Sequence, residues 1–212
     1  LTGPVLRVDN LYNHYVINSF YSAKTDIEGL YTAVWNAGTG NWNFVKFTEL
    51  GGAIKKLAKP GSSNVSNALN NFYINEVILK KDGGFVLSAE DIDTRYTSLT
   101  DGYPHRSPSS SLYDTYQSYY RRYSFRSDLE RKPEYSLSSG MSTYNNILVL
   151  DADSAGNLNW GNVIAKSQYQ MKFKDYPFSF ATLVDQGQLD FIFNQPLKET
   201  WLLASEHVTS DG

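Results

Sequence analysis

The stretch that decides the fold is residues 72–89, FYINEVILKKDGGFVLSA. Two runs rich in β-branched and aromatic residues, Phe72 to Lys80 and Phe85 to Ala89, flank the turn sequence Lys81-Asp82-Gly83-Gly84. Asp and Gly tolerate the positive φ angles that tight turns require. The stretch therefore predicts an antiparallel β-hairpin.

The same pattern recurs on both sides of this hairpin. In the first fifty residues, four short strands joined by tight turns predict an antiparallel meander; they are Val5 to Asp9, Tyr15 to Tyr21, Gly29 to Trp35 and Trp42 to Phe47. Downstream, two more hairpins are predicted at 146–165 and 180–194. We therefore expect an almost entirely β chain, with the first hairpin at 78–89.

Composition excludes several classes of protein. The 212 residues carry a formal net charge of -3 and no cysteine. This charge argues against a phosphate-driven nucleic-acid binder, and the lack of cysteine excludes disulfides, a thiol nucleophile and a thiolate metal site. Because no apolar run approaches the roughly 20 residues that span a bilayer, we expect no membrane-spanning segment.

A repeat of glycine and tryptophan suggests how the hairpins are arranged. Gly38-x-x-x-Trp42 and Gly156-x-x-x-Trp160 share one spacing, which predicts equivalent positions for the two indoles in superimposable four-stranded units. The predicted fold is all-β, with antiparallel four-stranded blade-like repeats that form part of a β-propeller; a β-sandwich is the alternative. The expected organisation is a first unit at 1–50, a linker at 51–71, a second unit at 72–168 and the start of a third at 178–212. Since a propeller closes with roughly four to eight blades, we expect these units to need more protein for closure.

A stretch rich in tyrosine and arginine interrupts the second unit at about residues 92–143. Tyrosine offers a rigid amphipathic face and arginine a forked donor that stacks on rings, so the stretch is a candidate contact surface for protein or glycan. Its candidate binding residues are Tyr113, Tyr116, Tyr119, Tyr120, Arg121 and Arg122. The alternative is that the tyrosines only pack the insertion onto its own unit.

One sequence pattern runs through residues 72–74, 79–90, 145–151 and 156–168 and continues through 187–194. With this pattern, roughly residues 72–212 resemble uncharacterised exported β-propeller-like proteins of the Bacteroidetes. The resemblance implies a longer parent chain exported to the periplasm or cell surface, with other envelope proteins or the rest of that chain as partners. It brings no catalytic residues to transfer. Asp153-Ser154-Ala155 also resembles the short O-glycosylation signal of such proteins, which makes Ser154 a candidate modification site.

Motifs for catalysis or metal binding are incomplete. Asp151-x-Asp153-x-x-Gly156 resembles a calcium loop but lacks the acidic residue at its twelfth position, where Asn162 stands. The histidines His14, His105 and His207 lie in separate segments without a catalytic spacing. We therefore expect no metal and no cofactor.

Three functions follow as hypotheses. The first is a non-enzymatic exported interaction or scaffold protein of the cell envelope. The second is a glycan-binding module whose tyrosines stack on sugar rings. The third is a glycoside hydrolase that uses a pair of carboxylates, for which Glu90, Asp91 and Asp93 are the candidates.

Overall fold

A computed structural model describes residues 2–98, 138–171, 179–185, 187–197, 200–209 and 211–212. Within these ranges the chain forms twelve β-strands and one short helix. Every described strand pair is antiparallel. The prediction of an all-β chain with antiparallel sheets is therefore confirmed.

The first sheet, sheet A, is a four-stranded meander in the order β1-β2-β3-β4. Its strands are β1 (Thr2–Asp9), β2 (His14–Ala23), β3 (Asp26–Asn36) and β4 (Asn41–Glu49). The turns between them use left-handed residues, namely Asn13 at φ 55°, Lys24 at φ 66° and Gly40 at φ 69°. This confirms the four predicted strands and the tight turns that join them.

Sheet B follows the short helix α1 (Gly52–Ala58), which lies in the stretch predicted as a linker. Its strands are β5 (Phe72–Leu79), β6 (Phe85–Ser98), β7 (Ser138–Ala152) and β8 (Leu158–Ile164), with β9 (Gln168–Met171) paired to β7. Gly83 has a φ of 84° in the turn between β5 and β6, and the Lys80 amide donates to the Gly84 carbonyl at 2.8 Å. The deciding hairpin therefore has the turn that its sequence predicts.

The long pair β6–β7 extends into the stretch predicted as an insertion. Its register continues as far as Ser98 opposite Ser138, so 92–98 and 138–143 are paired strand residues. Both ends of the predicted insertion are therefore β-strand, and backbone pairing continues past the last strongly apolar positions of both strands. Residues 99–137 are outside the described part of the chain.

Sheet C has three strands in the described part of the chain, in the order β10-β11-β12. They are β10 (Phe180–Asp185), β11 (Gln188–Leu197) and β12 (Thr200–Val208). The predicted hairpin at 180–194 is formed by the first two of them.

The three sheets stack with sheet B in the middle. Leu148 and Leu150 of β7 belong to a core that also contains Phe20 of sheet A. Their neighbours Ile147 and Val149 belong to a second core with Phe191 of sheet C. Successive strand residues point to opposite faces, so β7 is covered on both sides, as its continuous apolar run indicates.

The two tryptophans of the predicted repeat lie on the fourth strand of their sheets but in different surroundings. Trp42 pairs with Trp35 on the face of sheet A that is turned away from sheet B. Trp160 instead packs into the core shared by sheets B and C. A rotation that carries sheet A onto B and B onto C leaves the indoles on opposite faces. The prediction of equivalent indoles was wrong, because equal spacing from a turn does not determine which face a strand residue occupies.

Candidate interaction surface

The face of sheet A that is turned away from sheet B is apolar and open, and we call it the outer face. In register across the four strands it contains Leu6, Val8, Tyr15, Ile17, Tyr21, Tyr31, Ala33, Trp35, Trp42, Val45 and Phe47. Six of these side chains are more than a third exposed: Leu6 56%, Val8 53%, Tyr15 39%, Trp42 50%, Val45 50% and Phe47 59%. Scattered exposed apolar residues are normal on a protein, whereas a contiguous set on one sheet face indicates an interaction site.

The sequence of β3 shows why this face is apolar. A strand with one solvent-facing side alternates apolar and polar residues. The central part of β3 reads Leu30-Tyr31-Thr32-Ala33-Val34-Trp35, so both of its faces are largely apolar. One face packs on sheet B, where Leu30 is 1% exposed in the shared core. The other side of β3, on the outer face, is as apolar as a surface that is covered by other residues.

The aromatic rings of the outer face pack against one another edge-on or tilted. The Trp35 and Trp42 rings lie 5.1 Å apart at an interplanar angle of 78°. Phe47 meets Tyr21 at 5.2 Å and 88°, and Tyr31 at 5.1 Å and 58°. Rings in this geometry do not form a flat row of parallel faces, which is what stacking on a sugar polymer requires. The arrangement suits irregular apolar side chains of a protein better.

The outer face is almost uncharged. Among its register-paired residues the charged one is Glu49, opposite Gly29 at the edge of the sheet. Burial raises the pKa of the Tyr21 phenol, and the Glu49 and Glu28 carboxylates raise it further. Tyr21 therefore remains a neutral hydroxyl near neutral pH, and the face attracts neither anions nor cations strongly.

A second notable feature is a buried polar cluster where sheets B and C meet. The Lys166 ammonium is 0% exposed and pairs with the Glu90 carboxylate, which is 1% exposed. Lys166 also donates to Gln168 Oε1 at 2.8 Å and to the Tyr144 carbonyl at 3.4 Å. Gln168 Nε2 then donates to the carbonyl of Asn194 in sheet C at 2.7 Å. The cluster thus connects β6, the segment before β9, and β11.

The ion pair and hydrogen bonds of this cluster stabilise the packing of sheets B and C. Burial lowers the pKa of the Lys166 ammonium, while the adjacent Glu90 carboxylate opposes that shift. Ser179 Oγ at 2.8 Å and Asn75 Nδ2 at 3.4 Å donate to the second oxygen of Glu90. Because both charged groups are enclosed and hydrogen-bonded, a dissolved substrate cannot reach either of them.

This geometry bears on the hydrolase hypothesis. Glu90 is occupied by the buried ion pair and does not face solvent. Burial raises the pKa of the Asp91 carboxyl, which accepts a hydrogen bond from Asn145 Nδ2 at 3.3 Å. Asp93 has further interactions within the structure. Of the three predicted acids, Glu90 is therefore unsuited to contact a sugar.

The turn that resembles a calcium loop is closed by its own hydrogen bonds. Asp153 Oδ1 accepts from the amides of Ala155 at 2.9 Å and Asn157 at 2.8 Å, and Oδ2 accepts from Asn157 Nδ2 at 2.7 Å. Asp151 accepts from Lys80 Nζ at 2.7 Å and from Asn159 Nδ2 at 2.6 Å. The two carboxylates thus stabilise the β7–β8 hairpin. In the described ranges, no group of three His, Cys, Asp or Glu side chains is placed to hold a metal ion.

The remaining candidate residues do not come together. His14 contacts Asn36 and Asn43 in sheet A, and His207 pairs with Asp190 in sheet C. Ser154 is exposed in the β7–β8 turn, as a modified serine would need to be. His105 lies outside the described residues. So do the insertion residues Tyr113, Tyr116, Tyr119, Tyr120, Arg121 and Arg122, and their role as a contact surface stays a prediction.

The sequence reasoning missed the outer face. Its signal was present in the aromatic residues Tyr15 and Tyr21 of β2, Tyr31 and Trp35 of β3, and Trp42 and Phe47 of β4, which stand opposite the apolar face that packs on sheet B. Its Tyr- and Arg-rich composition instead makes the insertion the contact surface that the sequence predicts.

No family model, curated protein or solved structure matches this chain. Among the described residues, no helix has the length and apolar character needed to cross a membrane.

Proposed function

We propose that this chain is a non-enzymatic, exported interaction or scaffold protein of the cell envelope, like the Bacteroidetes proteins that it resembles. In this proposal it associates with other protein chains through the outer face of sheet A. The observation that carries the proposal is the set of six large apolar side chains, each more than a third exposed, on one nearly uncharged sheet face. Leaving such a face in water costs roughly 25 cal/mol for each Å² that a partner would cover.

Blade-like sheets are the architecture that we propose for this scaffold. Three antiparallel meanders follow one another along the chain and stack in the same order, A, B and C. Successive meanders stacked face to face are characteristic of blades, whereas a sandwich has two sheets around one core. The stacking supports the blade interpretation. The same stacking also supports the proposal that another sheet packs on the outer face.

Glycan binding is the second candidate. Tyr15 and Trp42 are 39% and 50% exposed and could each stack on a single sugar ring. The edge-on contact of Trp42 with Trp35 makes a protein partner the better fit. The insertion residues Tyr113 to Tyr120 are a further candidate surface for either ligand.

Site-specific photo-crosslinking tests the proposal. A benzophenone side chain introduced at Val45, which is 50% exposed on the outer face, is irradiated in cells that export the protein. The matched control carries the same side chain at Leu203, which is 76% exposed on the far face of sheet C. We expect one defined protein adduct, identified by peptide mass spectrometry, at position 45.

Two outcomes would count against this function. Equal and diffuse labelling at both positions would mean that the outer face is open to solvent in the cell. An adduct to polysaccharide in place of protein would favour the glycan-binding module.

A further inference from the structure

The outer face of sheet A is large enough to form a protein interface by itself. An aromatic side chain has roughly 150–250 Å² of surface and an aliphatic one somewhat less, so six side chains that are each about half exposed leave on the order of 600 Å² open. The largest apolar patch of a typical monomer is about 300–600 Å², and a standard interface buries about 800 Å² per partner. The partly exposed Ile17, Tyr31 and Trp35 on the same face add to the six. The available area is therefore close to what a stable dimer needs.

The charge of this face decides which partner fits. In a two-fold interface the residues near the axis meet their own copies, so like charges there oppose one another, whereas an uncharged centre carries no such cost. The outer face has Glu49 at one edge and apolar side chains across its centre. By contrast, the far face of sheet C carries the polar Asp190–His207 pair in register with Leu183. Of these two sheet faces, the outer face of sheet A is therefore better suited to pairing with itself.

We propose that the partner of the outer face is a second copy of this chain, packed sheet A against sheet A about a two-fold axis. This inference rests on the proposed function and names the chain that covers the face. Two apolar sheet faces pack about 10 Å apart, and a two-fold interface uses the same patch on both subunits and closes at two. The six sheets of the dimer are then stacked in the order C, B, A, A, B, C. Leu6 and Val45, at opposite edges of the face, both lie within the interface.

Sedimentation of the purified 23.9-kDa chain tests the inference. We expect a species of twice that mass, which dissociates on dilution. The test variant is Leu6→Lys with Val45→Lys, at positions 56% and 50% exposed, so the monomer fold tolerates both lysines. Like charges across an interface are strongly unfavourable, and the pair should weaken the dimer about 100-fold or more. Mixing it with the Leu6→Glu, Val45→Glu variant should restore association, since the opposing faces then carry opposite charges.

The matched control is Leu183→Lys with Leu203→Lys on the far face of sheet C, at positions 53% and 76% exposed. We expect this pair to leave the dimer unchanged. Circular dichroism of all variants reports whether the monomer fold is kept.

Three results would overturn the inference. They are a wild-type monomer at every concentration, a dimer that is lost in the sheet C variant and kept in the sheet A variant, and an open series of larger species. A wild-type monomer together with a crosslink from position 45 to a different protein would refute self-association and leave the proposed function standing. A wild-type monomer with no adduct at position 45 would remove both.

Discussion

Removing the buried ammonium of Lys166 should destabilise the fold strongly. The side chain is 0% exposed and pairs with Glu90, which is 1% exposed. Lys166→Met leaves the Glu90 carboxylate buried without its counter-charge, and Gln168 Oε1 and the Tyr144 carbonyl lose a donor. Breaking a buried pair in this way costs about 3–5 kcal/mol of unfolding free energy. For a chain of this size each kcal/mol lowers the melting temperature by about 2–4 °C, so a loss of roughly 10 °C is expected.

A second substitution isolates the charge. Glu90→Gln in the Lys166→Met background replaces the unpaired carboxylate by a neutral amide that can still accept from Ser179 Oγ. Leaving a charged group unpaired costs more than leaving a neutral one, so the double variant should recover about 1–3 kcal/mol relative to Lys166→Met alone. The matched control is Lys81→Met at an exposed position in the β5–β6 turn, with an expected change within about 0.5 kcal/mol.

Urea unfolding followed by tryptophan fluorescence measures these differences, because Trp160 packs against the core shared by sheets B and C and reports on its loss. The reasoning would be refuted if Lys166→Met changed the unfolding free energy no more than Lys81→Met does. It would also be refuted if the double variant were less stable than Lys166→Met.

Three further predictions concern turns and carboxylates. Gly156→Ala should destabilise more than Gly40→Ala in thermal unfolding: both positions have positive φ, at 72° and 69°, but only at Gly156 would the new Cβ approach Phe44 Cε2 to 2.9 Å. Equal losses would show that backbone strain alone sets the cost. Calcium should leave the melting temperature unchanged, since the Asp153 oxygens already accept three hydrogen bonds from their own turn; a rise that chelator reverses would restore the calcium-loop interpretation. Burial raises the pKa of Asp91 above 3.8, so the folded state holds this proton more tightly and stability falls as the pH rises through the window from 3.8 to the folded pKa. Urea titrations at several pH values should therefore show a smaller fall of the unfolding free energy with rising pH for Asp91→Asn than for the unsubstituted protein. Identical pH profiles of the two proteins would exclude Asp91 as the cause.

Local sequence determined the strands and the turns of this protein. Asp82-Gly83-Gly84 predicts a tight turn, and Gly83 has the positive φ of 84° that the turn needs. Runs such as Val5 to Asp9 and Trp42 to Phe47 lie within β1 and β4. These features depend on residues within a few positions of one another, so periodicity and turn chemistry are sufficient to predict them.

Only the tertiary structure decided which faces are covered and which polar residues meet. The run Ile147 to Leu150 is apolar at every position, and the stacking of sheet B between sheets A and C determines that alternate residues enter different cores. The sequence made Glu90 a candidate carboxylate for sugar hydrolysis, whereas Lys166, 76 positions away in sequence, pairs with it in a buried cluster. The stacking order of the sheets likewise decides that the outer face of sheet A is left open. Local periodicity reports that a strand has an apolar side, but the contact that covers that side is formed by residues distant in the chain or by another molecule.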